Sequence, residues 1–453
     1  MIARPLSAIA RETGGRLEGG DPDISSVVID SRLAVPGSLF VALPGERTDG
    51  VRFVHDAIAR GAAAVLVPDR EAATGPSVLV SSTGEALLKL AAAERHHVRA
   101  RVVAITGANG KTSTKDLAAA VLSRRFRTHA SPGSFNNEIG LPMTLLGAPA
   151  DTEVIVAELG ARRKGDVALL SEIAKPEIAV VTNVGVAHLE IFGSWEAIVE
   201  ASAEPVEALA SGAWAVLNAD DQVTAGYRSR TAAEVVTFGR LPGADVRADE
   251  VRLGPDGTAS FRLVAGDDRA QVRLNVAGEH MVANALAATA VGGILGVPLA
   301  DAAEALGAAT VSRWRMETFT TGSGVRVIND AYNANPESVA AALKAARVMA
   351  GEGRLIAVLG HMAEIAPIAD EAHDRIGDLA ARLGVARLVA VGAPAARIAV
   401  AAVREGVEPE NVAAYEEPAL ALADVREHAR PGDVVLFKGS RVAGLEVLAE
   451  GLR

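Results

Sequence analysis

The segment Ala104–Asp116, AITGANGKTSTKD, sets glycines, lysines and hydroxyl residues behind the apolar run VVAIT. Those types in that order describe an anion cradle. Glycine takes backbone angles that turn N–H groups toward oxygen atoms, and a helix N-terminus behind it adds partial positive charge. A lysine at the helix start reaches the outer phosphates of a nucleotide, and the next hydroxyl ligates Mg²⁺. Gly107, Gly110, Lys111 and Thr112 fill these places, with Thr106, Asn109 and Ser113 at the edges of the loop. The general pattern G-x-x-x-x-G-K-[ST] asks for glycine at position 105, where this chain has Ile105 and places Gly107 further in. A glycine turn without a ligand is the competing reading. The coincidence of strand, G-K-T and helix favours phosphate, and the motif alone fits any P-loop ATPase.

The elements that must hold this loop follow from hydropathy. From Val102 the chain repeats strand then helix: VVAIT, VIVAEL, IAVVTN, WAVLN and VVTFG are short apolar runs between polar turns. Such runs predict a parallel sheet buried on both faces. After Gly239, VRL, ASFRLV and QVRLNV alternate in period two around GPDG and GDD turns, which predicts antiparallel strands. An alanine-rich helix is expected from about Ala283. A second strand–helix series starts near Val325 with VRVI, RLIAVLG, RLVAVG and DVVLFKG and predicts a smaller doubly wound unit. Its first helix opens NANPES, with Asn335 a good N-cap and Pro336 at the first helical position. Ahead of all this, residues 1 to 98 alternate short β-like runs with helical stretches. RHHVRAR (Arg95–Arg101) reads as a basic patch or, more commonly for such a run, a solvated helix end.

Composition narrows the function. At about 150 residues per domain, 453 residues predict three domains. Hydrophobic residues make up 49% and aromatics only 3%, so the core must be alanine, valine and leucine. A net charge of -11 argues against non-specific nucleic-acid binding, yet leaves room for a local basic pocket. The chain has no cysteine, which excludes disulfides, thiolate metal sites and cysteine nucleophiles. MIARPLSAIARETGG lacks the apolar core of a signal peptide, and Met281–Ala300 carries Asn284, glycines and Pro298, as a buried helix does. A cytoplasmic protein without membrane association is expected.

The form TGxNGKT[ST] is that of the Mur ligases, and the resemblance runs along nearly the whole chain. VVIDSRLAVPGSLFVALPGERTDG (Val27–Gly50) resembles the family's nucleotide-sugar-binding domain. SPGSFNNEIGLP, AELGAR, VTNVGVAHLEIFGS, LNADD, GEHMVANALAA, NDAYNANPES, LGHMAEI and FKGSR then follow in family order. The NNEIG and YNANP pieces resemble the member adding D-alanyl-D-alanine to UDP-N-acetylmuramoyl-tripeptide, and no D-N-P-R box of the diamino-acid-adding relative is present.

The resemblance implies an α/β chain of three domains. These are a small UDP-sugar-binding N-terminal domain (1–98), a central P-loop ATPase of parallel sheet plus antiparallel strands (99–312), and a C-terminal Rossmann-like ligase domain (313–453). It implies ATP-driven amide formation through an acyl phosphate, with ATP and Mg²⁺ as cofactors, the UDP-muramoyl-tripeptide and D-alanyl-D-alanine as substrates, and a monomer. Lys111 would contact the outer phosphates, Thr112 would ligate one Mg²⁺, and Glu158 and His188 would hold a second. Taken singly, a strand-end glutamate is commonly just solvated and a lone histidine commonly a satisfied core residue. Asn183, Asn218, Asp221 and Asn284 match positions near the nucleotide, where turns and caps are the ordinary use of such residues. Arg315 and Asp330 match residues that close over ATP, which predicts domain closure before chemistry. Ser31, Arg32, Asn136 and Asn137 are the candidates for the UDP-sugar. Asn333, Asn335 and Ser338 serve substrate contact or helix capping, and Lys438 and Arg441 a substrate carboxylate or a solvated loop.

The chain also departs from the family. The lysine that becomes carbamylated at the second Mg²⁺ falls in a stretch A-K-x-E, which here reads EASAEP, with Ser202 in its place. Serine forms no carbamate, so Glu200, Glu204 or water would have to substitute. Val51 replaces a histidine, His361 an acid and Ser134 an asparagine. These changes keep two other readings open: a related ligase with another amine or carboxylate, and an ATP-binding homologue without turnover.

Overall fold

The computed structural model describes residues 1–45 and 48–453; Glu46 and Arg47, inside the Val27–Gly50 stretch, lie outside the described residues. Among the described residues, three larger sheets follow one another along the chain, and a two-stranded antiparallel sheet pairs Arg4–Pro5 with Asp23–Ile24 at the N-terminal end. The first has five strands between Arg16 and Leu79, parallel except for the edge strand Arg16–Glu18. The helix Thr83–His97 leaves it, capped by Ser82, whose side chain accepts from Glu85 N–H at 3.2 Å.

The second sheet has nine strands. In spatial order they are Asp268–Ala277, Thr258–Ala265, Val246–Leu253, Glu234–Gly239, Trp214–Asn218, Ile178–Val181, Arg101–Thr106, Val154–Glu158 and Thr128–Ala130. The expected antiparallel strands are present, but they extend the same sheet: Val246–Leu253 pairs in parallel with Glu234–Gly239, and only Thr258–Ala265 pairs antiparallel, with Val246–Leu253 on one side and Asp268–Ala277 on the other. Valine, isoleucine and alanine fill the central strands because both faces are covered; Val102–Ile105 and Val154–Ala157 are all buried. Strand Arg101–Thr106 lies between Val154–Glu158 and Ile178–Val181, and later strands are added beyond Ile178–Val181. A crevice therefore opens beyond its carboxyl end, where ligands gather in such sheets.

The helix Met281–Ile294 packs against the helix Lys111–Leu122 behind that crevice. Small residues permit the approach: a Cβ at Gly292 would sit 2.6 Å from Val121 Cγ1. The apolar run around it thus belongs to the core, and among the described residues no helix is long and apolar enough to cross a membrane.

The third sheet has six strands between Glu317 and Lys438, parallel except for the edge strand Glu317–Thr320. One hydrophobic core continues from the second sheet into this unit through Met316, Ile328 and Val339, and another joins the first sheet to the opposite face of the second through Val102 and Ala157. The three units are docked, which brings distant residues to one crevice.

Candidate active site

The loop after strand Arg101–Thr106 is held open by its glycines. Gly107 and Gly110 take φ of 132° and 82°, and a Cβ on Gly107 would lie 2.1 Å from Thr182 Oγ1. The neighbouring strand's end braces the loop: Thr182 Oγ1 donates to Asn109 O at 2.6 Å, Asn183 Oδ1 accepts from Asn109 N–H at 2.9 Å, and Asn183 Nδ2 donates to Asn109 O at 3.1 Å. Asn218 donates to Thr182 O at 2.8 Å, while Asp221 accepts from Val184 N–H and caps the helix Gln222–Gly226. Buried Asn284 accepts from Thr114 Oγ1 at 3.3 Å. These four residues shape the nucleotide loop from behind.

Lys111 opens the helix with its ammonium on the Gly107 and Ala108 carbonyls at 2.6 and 3.2 Å. Desolvation pushes its pKa down from the usual lysine range, Glu158 opposes this, and Arg315 adds to it. A second lysine, Lys115, is buried and donates to the carbonyls of Ser131 and Gly133 at 2.8 and 2.9 Å, so it shapes the neighbouring SPGS turn. The sequence reading missed it, although it recurs one helical turn after Lys111.

Glu158 ends its strand almost wholly buried. One carboxylate oxygen accepts from Asn136 Nδ2 at 2.8 Å; the other has no hydrogen-bond partner among the described residues. A buried, unpartnered carboxylate oxygen is costly unless something cationic meets it. Together with Thr112 Oγ1, an oxygen donor pair suited to Mg²⁺ faces the phosphate loop. The family's second cation arrangement does not fit. Ser202 lies in the helix Trp195–Glu207 beside Tyr227. Neither proposed substitute is free: Glu204 accepts from the N–H groups of Gly165 and Ala168 at 2.6 and 2.9 Å, and Glu200 is held by Arg230 at 2.9 Å. Among the described residues no three histidine or acidic side chains converge as a cation cage.

The C-terminal unit reaches this loop directly. Arg315 donates to Thr112 Oγ1 at 2.9 Å and Ser134 Oγ at 3.3 Å, and stacks on Tyr332 at 4.1 Å. Asn335 caps the helix Pro336–Ala350 and donates to Asn109 Oδ1 at 2.9 Å. His188 Nδ1 hydrogen-bonds a Glu364 carboxylate oxygen, an interaction the sequence reading also missed. Asp330 accepts from Met316 N–H at 3.1 Å and pairs with Lys438 at 2.9 Å.

Several candidates prove to be otherwise engaged. Lys438 is not on a solvated loop: it is 3% exposed, its ammonium also donates to Asn333 O at 2.6 Å, and desolvation pushes its pKa down. Asn137 spends its side-chain oxygen on Gly140 N–H at 2.9 Å, at the start of the next helix. Ser338 completes the Asn335 cap. Arg441 pairs with Glu446 and lies over Trp314. Ser31 donates to Asp56 at 2.7 Å, and exposed Arg32 pairs with Asp30. A cleft of 420 Å³ lined by Ile29, Ser134, Asn136, Asn137 and Tyr332 runs between the three units beside the phosphate loop.

Comparison with known proteins agrees along the whole chain. Residues 23–106 match the Mur ligase family catalytic domain, 105–292 the Mur ligase middle domain, and 314–441 the Mur ligase glutamate ligase domain. The UDP-N-acetylmuramoyl-tripeptide–D-alanyl-D-alanine ligase of Mycobacterium tuberculosis H37Rv is 42% identical, with 100% of this chain and 98% of that protein covered. Among solved structures, MurF from Acinetobacter baumannii superposes with a TM-score of 0.88 at 32% identity, covering 100% of this chain and 99% of that one. MurF from Thermotoga maritima in complex with ADP gives 0.80 at 28%, covering 94% and 96%.

Proposed function

The chain belongs to the Mur ligase family, and from that premise we propose that it joins D-alanyl-D-alanine to UDP-N-acetylmuramoyl-tripeptide at the expense of ATP, a step of peptidoglycan precursor synthesis. The observation that carries this reading is the phosphate loop with Lys111 at its mouth, beside the unpartnered oxygen of Glu158. It is supported by similarity over the whole length to D-alanyl-D-alanine ligases rather than to the middle domain alone.

A carboxylate repels an amine's lone pair and offers no leaving group. In the proposed reaction the tripeptide's terminal carboxylate oxygen attacks the γ-phosphorus of ATP, and ADP leaves. The amine of D-alanyl-D-alanine then attacks the acyl carbon, the C–O bond to phosphate breaks, and the amine's proton is lost as the amide forms. Little covalent chemistry falls to the protein; it positions groups and neutralises charge. The N–H groups of Gly110 to Thr112 and the Lys111 ammonium would cradle the phosphates, the ammonium leaving its two carbonyls to do so, while the Asn109 N–H stays on Asn183. Arg315 and Asp330 bring the C-terminal unit's charges to the nucleotide. Thr112 and Glu158 would hold Mg²⁺, which when bound neutralises phosphate charge. The cleft of Ile29, Asn136 and Tyr332 would take the UDP-muramoyl end. We place the domain boundaries near 98 and 312, in the connections after the helices ending at His97 and Ala308.

The test is a competition read by mass. Protein is given ATP, Mg²⁺, the UDP-muramoyl-tripeptide and a mixture of amino acids and dipeptides. Coupling of D-alanyl-D-alanine alone, with one phosphate released per product, is expected. Coupling of another amine would assign a different ligase, and nucleotide binding without phosphate release would leave a protein that has lost turnover.

A further inference from the structure

Adjacent residues of the phosphate-loop helix, Lys115 and Asp116, turn away from the nucleotide loop, and Asp116 holds the connection to the C-terminal unit. We propose that Asp116 is a positioning residue for phosphoryl transfer: by fixing Ser312 it sets the segment 312–316 so that the Arg315 guanidinium lies over the phosphate loop. This rests on the ligase reading of the site.

The contact is doubled. One Asp116 carboxylate oxygen accepts from Ser312 N–H at 2.7 Å and from Ser312 Oγ at 2.8 Å. The other pairs with the buried Lys115 ammonium at 2.7 Å. That ammonium also holds the Ser131 and Gly133 carbonyls, so the turn carrying Ser134 is fixed from the same helix. Hydrogen bonds to an ionised partner are about twice as strong as neutral ones. Arg315 closes the circuit, donating to Thr112 Oγ1 on that helix and to Ser134 Oγ on that turn. Its Nε is buried with no hydrogen-bond partner among the described residues, a donor still to be matched. The residues flanking it are held against their preference. Trp314 and Met316 lie in the left-handed region at φ 62° and 52°, where residues with a Cβ stay only if their surroundings over-determine them. Beyond Arg315 the segment is fixed by buried Met316, whose N–H meets Asp330. Ahead of it the charged anchor to the middle unit is Asp116.

The first measurement needs no turnover. The chain has three tryptophans. Trp314 lies beside Arg315, whereas Trp195 and Trp214 belong to a helix and a strand of the middle unit. In protein labelled with fluorotryptophan, the ¹⁹F resonance lost in Trp314→Phe identifies Trp314. Asp116→Ala should shift or broaden that resonance and leave the other two in place. Ser312→Ala, which keeps the N–H and loses only the hydroxyl, should move it less and in the same direction. The second measurement is phosphate release with the UDP-muramoyl-tripeptide and D-alanyl-D-alanine at saturating ATP. Asp116→Ala should lower kcat by about 10-fold, the lower end for losing hydrogen bonds to a charged group, and Ser312→Ala by about threefold. Affinity for ADP, which lacks the γ-phosphate and rests on the phosphate loop, should not change in either variant. In an Arg315→Ala background Asp116→Ala should cost nothing further in kcat. A Trp314 resonance unmoved by Asp116→Ala, equal movement of all three resonances, unaltered kcat, a weakened hold on ADP, or losses that add in the double variant would each overturn the proposal. The spectra and the ADP affinity are read whichever amine is coupled, so the ligase reading stands or falls separately, in the competition by mass.

Discussion

At the residue scale, the phosphate loop separates groups that shape from groups that act. Gly107 and the Thr182–Asn183 brace set the backbone; Lys111 is the charge that moves. Lys111→Ala removes a cationic donor to the phosphates but no buried packing. It should lower kcat by about 100-fold or more while circular dichroism stays unchanged, as phosphate release at saturating ATP would show. Position 202 makes the converse case. With no lysine there, activity should be indifferent to bicarbonate over the range that loads carbamates, and Ser202→Lys should introduce a dependence. A bicarbonate requirement in the wild type would mean that the carbamate position lies elsewhere. The loop was legible in the sequence because backbone need and chemistry coincide within a few neighbouring residues. The engagement of Glu204, Lys438 and Asn137 was not. Lys438 meets Asp330 and Asn333 across more than a hundred residues, and Glu204 meets a helix start that only the fold brings near. Asn137 is nearer its partner, yet a side-chain cap and a ligand contact use the same amide, and the residue type does not distinguish them.

At the element scale, one helix start does two jobs. Asn335 Oδ1 accepts from Ser338 N–H at 2.9 Å as an N-cap, and its Nδ2 donates to Asn109 in the phosphate loop. Aspartate keeps the acceptor and loses the donor, so the two roles come apart. Asn335→Ala should cost about 1 kcal/mol of stability in urea unfolding, the usual worth of a cap. Asn335→Asp should recover that stability. Both variants should raise the KM for ATP several-fold, since a hydrogen bond between units is worth about 1 kcal/mol. If Asn335→Asp restores KM as well, the contact to Asn109 contributes nothing to docking. Periodicity predicted this helix, its cap and the two parallel series, because a buried strand or a proline-led helix writes itself in consecutive residues. It did not show that the antiparallel strands continue the nine-stranded sheet, since pairing partners leave no local mark.

At the scale of the whole molecule, the three units share two cores and meet where the charges are, so the docked arrangement and the protonation of its histidines are linked. His129, His188 and His361 all have pKa values lowered from 6.5, in each case chiefly by desolvation. His188 is opposed in this by Glu364, whereas the neighbouring His373 adds to the lowering at His361. The sign follows directly. Well above 6.5 these rings are neutral folded or unfolded. As pH falls through that value the unfolded chain takes up protons that the folded chain refuses, so the unfolded state gains ground. The loss continues until pH drops through the depressed folded values, where it levels off. The melting temperature should therefore fall between about pH 7.5 and 5.5, by more than in a variant carrying His129→Gln and His361→Gln. Those two positions lie outside the phosphate loop, so calorimetry on that variant isolates the proton linkage from catalysis. A melting temperature that stays level or rises on acidification would mean that these rings are not shielded as the packing requires.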